Sequence, residues 1–315
     1  MVQLELDFNS HIEEQARKKK KSDSGRKAQQ DGENVKNSLA QALSCTEKGN
    51  FTLQLLYVFK VLQIDKDNVA YVTTRSHEDK GSEPCSKPDL RCTIALIDNY
   101  KYNPLKISLK STFGATQVAI HSVNSFEMHL KSHGVIVPES VKEFFTHFTN
   151  SESTYINKPS FMFPESTKRQ RFTLNEINAF NPQLFEDTKQ FLKIHAKEIL
   201  NFLMSKGQVK DKKGHANYLA FCDKKLDNLL LVNIEDLIDY ILIECEKNDS
   251  WVVTGKDRKL KGITTLYLFN GLIPLQMKGS GLKESSAYHH LQFRIKGSEI
   301  KKLVNNGLIK DRVWN

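Results

Sequence analysis

Two apolar runs separated by a turn, between residues 90 and 109, constrain the fold more than any other part of this chain. LRCTIALI (90–97) is strand-forming and DNYKYN (98–103) is rich in turn formers. PLKISLKST (104–112) then alternates strictly, with Leu105, Ile107 and Leu109 on one side and Lys106, Ser108 and Lys110 on the other. A β-hairpin is predicted. Folding it about residue 100 brings Asp89, at the mouth of the first strand, opposite Lys110 at the end of the second. The leucine and isoleucine side enters a core, leaving Ser108 and Lys110 on a polar face of a rigid sheet.

That polar face has the ingredients for phosphodiester chemistry. Cutting a phosphodiester calls for a divalent cation that binds the phosphate and lowers the pKa of water, and for a hard oxygen ligand such as a carboxylate. Asp89 suits the ligand role. A lysine beside the ion stabilises charge developing on the phosphoryl oxygens, and Lys110 suits that role. Pro88-Asp89, nineteen residues from Asp89 to Ser108, and Ser108-Leu109-Lys110 together follow the layout of the PD-(D/E)XK nuclease core. Taken alone the pattern is loose. Asp89 after a proline also closes loops and caps turns, and a strand-end lysine is commonly solvated.

Around this hairpin the chain reads as mixed α/β. Residues 17–27 (RKKKKSDSGRK) form a basic, polar run, either solvated or laid on a phosphate backbone. Val35, Leu39 and Leu43 recur every four positions and predict a helix with Glu33 in its first turn, where it would also complement the helix dipole. FTLQLLYVFKVLQI (51–64) fits a buried helix or a strand, and SHEDKGSEPCSKP (76–88) reads as a loop. Residues 150–175 form a loop or lobe boundary carrying Lys168, Arg169 and Arg171. Helices are expected over 186–205 and 234–246, and strands in ITTLYLF, LIPLQMKG and HHLQFRIKG. The expected organisation is a basic segment over 1–28, a core over 29–150, and a C-terminal lobe over 151–315 packed on it.

Composition narrows the class. With 39% apolar and 26% charged residues the chain can bury a real core, and a net charge of +9 favours polyanionic partners. Five scattered cysteines without a CxxC pair suggest neither a disulfide framework nor a zinc ribbon. No apolar run is long enough for a bilayer and no signal pattern opens the chain, so a cytoplasmic protein without membrane contact is expected. His129 and His133 lie four apart, but no third ligand accompanies them.

GSEPCSKPDLRCTIAL followed by LKISLKSTFG resembles the catalytic segment of type II restriction endonucleases of the PD-(D/E)XK superfamily, in particular the group of MspI and the HinP-type, GCGC-cutting enzymes. A second stretch, IPLQMKGSGLKESSAYHHLQFRIKG, is similar to the C-terminal segment of that group. FTNSES, KRQRF and DKKGHANYLAF follow in the same order with weaker similarity. The resemblance covers most of the chain. It implies an α/β, restriction-endonuclease-like core with a mixed central sheet, flanking helices and a C-terminal lobe of helices and strands.

By position, the resemblance assigns the metal aspartate to Asp89 and the lysine to Lys110. The group's glutamine or asparagine acceptor is replaced by Ser108, a shorter ligand, so a water or another carboxylate, for which Glu33 is the candidate, would complete the shell. The bases would be approached by Thr116 and Gln117 after the lysine and by Gln292 and Arg294 in the C-terminal segment, with Gln276, Lys278 and Ser286 assisting. Glutamine bonds adenine and arginine bonds guanine, although the alternation of Gln292 and Arg294 with Leu291, Phe293 and Ile295 also fits an ordinary half-buried strand. Mg²⁺ is the implied cofactor, double-stranded DNA the substrate and a cognate DNA methyltransferase the functional partner, with the enzyme a monomer or homodimer. A repair or recombination nuclease on the same core, and a noncatalytic DNA-binding protein, are the competing readings.

Overall fold

The computed structural model of this protein describes residues 23, 26, 27, 29–76, 89–98, 105–149, 172–207, 214–254, 264–277 and 290–309. Lys278, Ser286, Cys85, the 168–171 basic element and the 17–27 run apart from residues 23, 26 and 27 lie outside the described residues. The first sheet, sheet A, holds β1 (Val69–Ser76), β2 (Leu90–Leu96), β3 (Leu105–Lys110), β5 (Tyr218–Cys222) and β6 (Leu229–Asn233), in the order β1-β2-β3-β5-β6. The β2–β3 pair is antiparallel, as the alternation predicts, with Leu90 opposite Ile107 and Cys92 opposite Leu105. β3 and β5 run parallel, and the remaining pairs are antiparallel.

One face of sheet A is covered by α1 (29–42) and α2 (Leu53–Leu62). Val35, Leu39 and Leu43 are all buried there, together with Leu55, Tyr57, Val58, Phe59, Leu105 and Ile107. The segment that fitted either a helix or a strand is the helix α2. Thr52 caps it by accepting from the Leu55 N–H at 3.2 Å, and Gln63, left-handed at φ 57°, ends it.

The other face of sheet A and the inner face of a second sheet share a larger core with most of the helices. Sheet B is antiparallel throughout, with β4 (Ala115–His121), β7 (Val252–Thr254), β8 (Thr265–Leu268), β9 (Ile273–Met277) and β10 (Leu291–Lys296) in the order β4-β10-β9-β8-β7. Each sheet therefore draws strands from both sides of residue 150.

The helices of this core are α3 (Val123–Ser132), α4 (Glu139–Thr149), α5 (Leu174–Phe180), α6 (Gln183–Ile194), α7 (Ala196–Asn201), α8 (Ile234–Asn248) and α9 (Gly297–Asn305). The helix expected over 186–205 begins earlier and is not continuous. His195 leaves helical dihedrals (φ −107°, ψ 21°), and after α7 the chain widens into a π-helical turn, Phe202–Lys206. No described helix is long and apolar enough to cross a membrane.

One close approach ties the sheets together. A methyl group at Gly297 would stand 2.5 Å from a ring carbon of Phe221 and 3.0 Å from the Phe113 Cα, so only glycine fits where β10 turns into α9. The Ser298 N–H donates to the Phe113 carbonyl at 2.7 Å. Phe221 is the register partner of Lys110 on the neighbouring strand.

Candidate active site

Asp89 stands where the chain enters β2. Its N–H donates to the Ile107 carbonyl at 2.7 Å, extending the ladder one step past Leu90. Its Oδ2 accepts the Leu109 N–H at 2.6 Å. The carboxylate is thereby fixed on the backbone of β3 between Ser108 and Lys110, with one of its two oxygens engaged by the scaffold.

Lys110 ends β3 beside Phe221. Burial pushes its ammonium below the ordinary lysine value of 10.5, and the neighbouring Asp89 carboxylate opposes that shift. A desolvated lysine within the field of a carboxylate is the arrangement expected where charge has to be stabilised during a reaction. Ser108 lies between Lys106 and Lys110 on the same side of the strand but is only 1% exposed, with Leu219 opposite it in register.

Asp89 opens onto a cleft of about 170 Å³ lined by Gln29, Gly32, Glu33, Lys36, Leu109 and Ser111 as well. The first turns of α1 thus bring Glu33 to the same cleft as Asp89. Neither Ser108 nor Lys110 lines it. Glu33 forms an ion pair with Lys36 one turn further on, and Lys36 is itself 7% exposed. The cleft's donors are hard oxygens from two carboxylates, an amide and a hydroxyl, a set that fits Mg²⁺ or Mn²⁺ better than a softer metal. Among the described residues no group of three or more histidine, cysteine, aspartate or glutamate side chains could hold a metal ion, so any hard cation here would retain water. Lys36, Gln29 and Ser111 did not emerge from the sequence reading. The one available signal was that Lys36 follows Glu33 by three residues and adjoins the buried Val35.

The residues assigned to DNA bases fall on sheet B. Leu291, Phe293 and Ile295 point into the core, which leaves Gln292 and Arg294 on the opposite face. Gln292 stands opposite Gln276 on β9, Arg294 stands opposite Gln117 on β4, and the Gln292 Nε2 donates to the Gln117 Oε1 at 3.1 Å. These four side chains therefore form one polar group. Thr116 is opposite the buried Ile295 and falls on the inward side.

A larger cavity, about 560 Å³, opens at the other end of β3. It is lined by Lys106, Lys197 and Lys206 but also by Glu235 and Asp239, and it holds none of the residues singled out for catalysis. His129 and His133 lie on α3 and at its C-terminal cap, both against the Phe202 ring, at 6.0 Å between ring centroids in each case. Cys45, Cys92, Cys222 and Cys245 are buried free thiols, and burial raises Cys92 to about 11 and Cys222 to about 12.

No protein-family model matches this chain, and no curated protein matches it. Among solved structures, the chain is similar to restriction endonuclease MspI in complex with its cognate DNA, at 15% sequence identity and a TM-score of 0.48, over 76% of each chain.

Proposed function

We propose that the protein is a Mg²⁺-dependent type II restriction endonuclease that hydrolyses both strands of duplex DNA within a short, GC-containing site. The observation that carries this reading is the Asp89 carboxylate pinned to the Leu109 amide at 2.6 Å, beside a desolvated lysine and at the mouth of an oxygen-lined cleft. The two motif resemblances point the same way.

Asp89 and Glu33 would hold the ion. Bound Mg²⁺ supplies a Lewis acid for the phosphate and a water of lowered pKa. Lys110 would present its ammonium to the charge building on the phosphoryl oxygens or orient the attacking water. The polar group on sheet B reads base edges: Arg294 is matched to guanine, and Gln117, Gln276 and Gln292 to adenine or to single donors and acceptors. The +9 net charge supplies nonspecific attraction to phosphate. A DNA methyltransferase of the same specificity would protect host DNA, and the enzyme would act as a monomer or homodimer.

Digestion of plasmid DNA with Mg²⁺ tests this directly. Discrete fragments whose sequenced ends share one short motif are expected. One specific feature favours a second reading, a DNA-binding protein that does not cut. Ser108 is 1% exposed and absent from the cleft lining, which leaves the PD-(D/E)XK acceptor unfilled at its usual position. Retained DNA binding with no cleavage under Mg²⁺, Mn²⁺ or Co²⁺ would establish that reading. Cutting that follows branches, ends or damage instead of sequence would indicate a repair or recombination nuclease.

A further inference from the structure

Lys36 is a buried ammonium inside a cleft that otherwise presents oxygen donors. It is 7% exposed, and its partner within the cleft is the Glu33 carboxylate, whose side chain is 44% exposed. An ion pair between i and i+3 on an open helix surface contributes little. This pair differs because its cationic half is withdrawn from water. A buried charge holds on to its partners, since each one lost leaves part of the desolvation cost uncompensated.

The position of Lys36 follows from the helix. Val35 and Leu39 enter the core of sheet A, and Lys36 adjoins that stripe, so its stem lies along apolar surface while its head reaches back one turn to Glu33. Glu33 and Asp89 line the same space. A divalent cation placed between those carboxylates meets a positive charge already seated on one of them.

We propose that Lys36 is the resident counter-ion of this cleft, competing with the divalent cation for Glu33 and so setting how tightly the cleft takes that cation. This rests on the reading of the cleft as a metal site. Without the divalent ion, Lys36 keeps Glu33 and Asp89 from repelling each other. As the ion enters, Glu33 is shared or surrendered, and affinity falls by the cost of displacing the ammonium. Lys110, in the field of Asp89, is a separate cation that does not line the cleft.

Mn²⁺ binding to the full chain without DNA, followed by the electron paramagnetic resonance signal of the free ion, tests the proposal apart from catalysis. Lys36→Met keeps the stem and removes the charge, and it should tighten Mn²⁺ by about tenfold. Lys36→Arg should bind as wild type does. Asp89→Asn should weaken binding severely. Thermal melts run in parallel confirm folding, and Lys36→Gln serves if the methionine variant does not fold. Unchanged or weaker Mn²⁺ binding in both neutral variants, with Asp89→Asn still impaired, overturns the role given to Lys36 and leaves the metal reading standing. Wild-type binding in Asp89→Asn overturns the metal reading and this proposal with it.

Discussion

Lys106 and Lys110 sit four residues apart on one side of the same strand, roughly 13 Å by strand rise, yet their surroundings differ in kind. At the Lys106 end the chain is tied by two hydrogen bonds, Lys106 N–H to Asn217 Oδ1 at 2.7 Å and Asn217 N–H to the Lys106 carbonyl at 2.9 Å. The space beside it, about 560 Å³, mixes lysines with Glu235 and Asp239. At the Lys110 end the space is about 170 Å³, but a carboxylate is locked to the backbone and the ammonium is desolvated. Volume and chemical preparation are therefore separate properties. The smaller space has a backbone-locked carboxylate on its lining and, just outside that lining, a lysine ammonium in the field of that carboxylate, and charges fixed in this way interact more strongly than freely solvated ones.

The largest predicted effect tests that contrast. On the proposed reading, Asp89→Ala or Lys110→Ala should reduce DNA cleavage by about 10³-fold or more while DNA binding is largely retained, since phosphate contacts generally position a duplex independently of the groups that cut it. Lys106→Ala should keep cleavage within a few-fold of wild type. Equal losses at both ends of β3, measured as single-turnover rates, would erase the distinction.

An intermediate effect is expected at Gly297. Gly297→Ala places its methyl 2.5 Å from the Phe221 ring, next to Lys110 in register, and should destabilise the fold by about 1–3 kcal/mol in denaturant titrations. Adding Phe221→Leu should recover part of that loss. A Gly297→Ala protein as stable as wild type would mean that the joint is looser than its geometry states.

The smallest effect concerns stability and pH. Because burial lowers the folded-state pKa of Lys110, the unfolded chain holds that proton more firmly, and the residue costs stability at neutral pH. That cost is complete below the folded-state pKa and fades as pH rises through it toward the ordinary value of 10.5. Lys110→Met should therefore melt a few degrees higher than wild type at pH 7, at roughly 2–4 °C per kcal/mol, with the gap narrowing toward pH 10. A lower melting temperature at pH 7 would refute the sign.

Legibility in the sequence followed the solvent. α1 is readable because it has one wet and one dry side, which writes a period of about four into the chain, and β3 is readable because polar and apolar residues alternate in it, although the fold covers both of its faces and the expected polar face around Ser108 is closed from water. β5 (YLAFC) and β6 (LLLVN) escaped notice. Leu219, Phe221, Leu230 and Val232 enter one core while Ala220, Cys222, Leu229 and Leu231 enter the other, so no alternation survives. The phenylalanines of α4 were likewise passed over, and the break at His195 left no mark in the apolar spacing of 186–205. At the candidate site, Asp89, Lys110 and Glu33 were named from motif and resemblance. Lys36 was not, since a lysine on an amphipathic helix ordinarily signals solvent, and only the packing of α1 against sheet A reveals that this one is enclosed. Gln117, Gln276, Gln292 and Arg294 were named separately, and strand register gathers them into one group.

Only residues 111–114 separate the end of β3 from the start of β4, and the beginning of α9 is fastened to that same link through Ser298 and Phe113. Sheet B is thus not a module hung from a hinge. A load applied to its polar surface has no slack to take up before it reaches the strand that carries Lys110, so an insertion in this link should disconnect the two ends of the molecule even if each still folds.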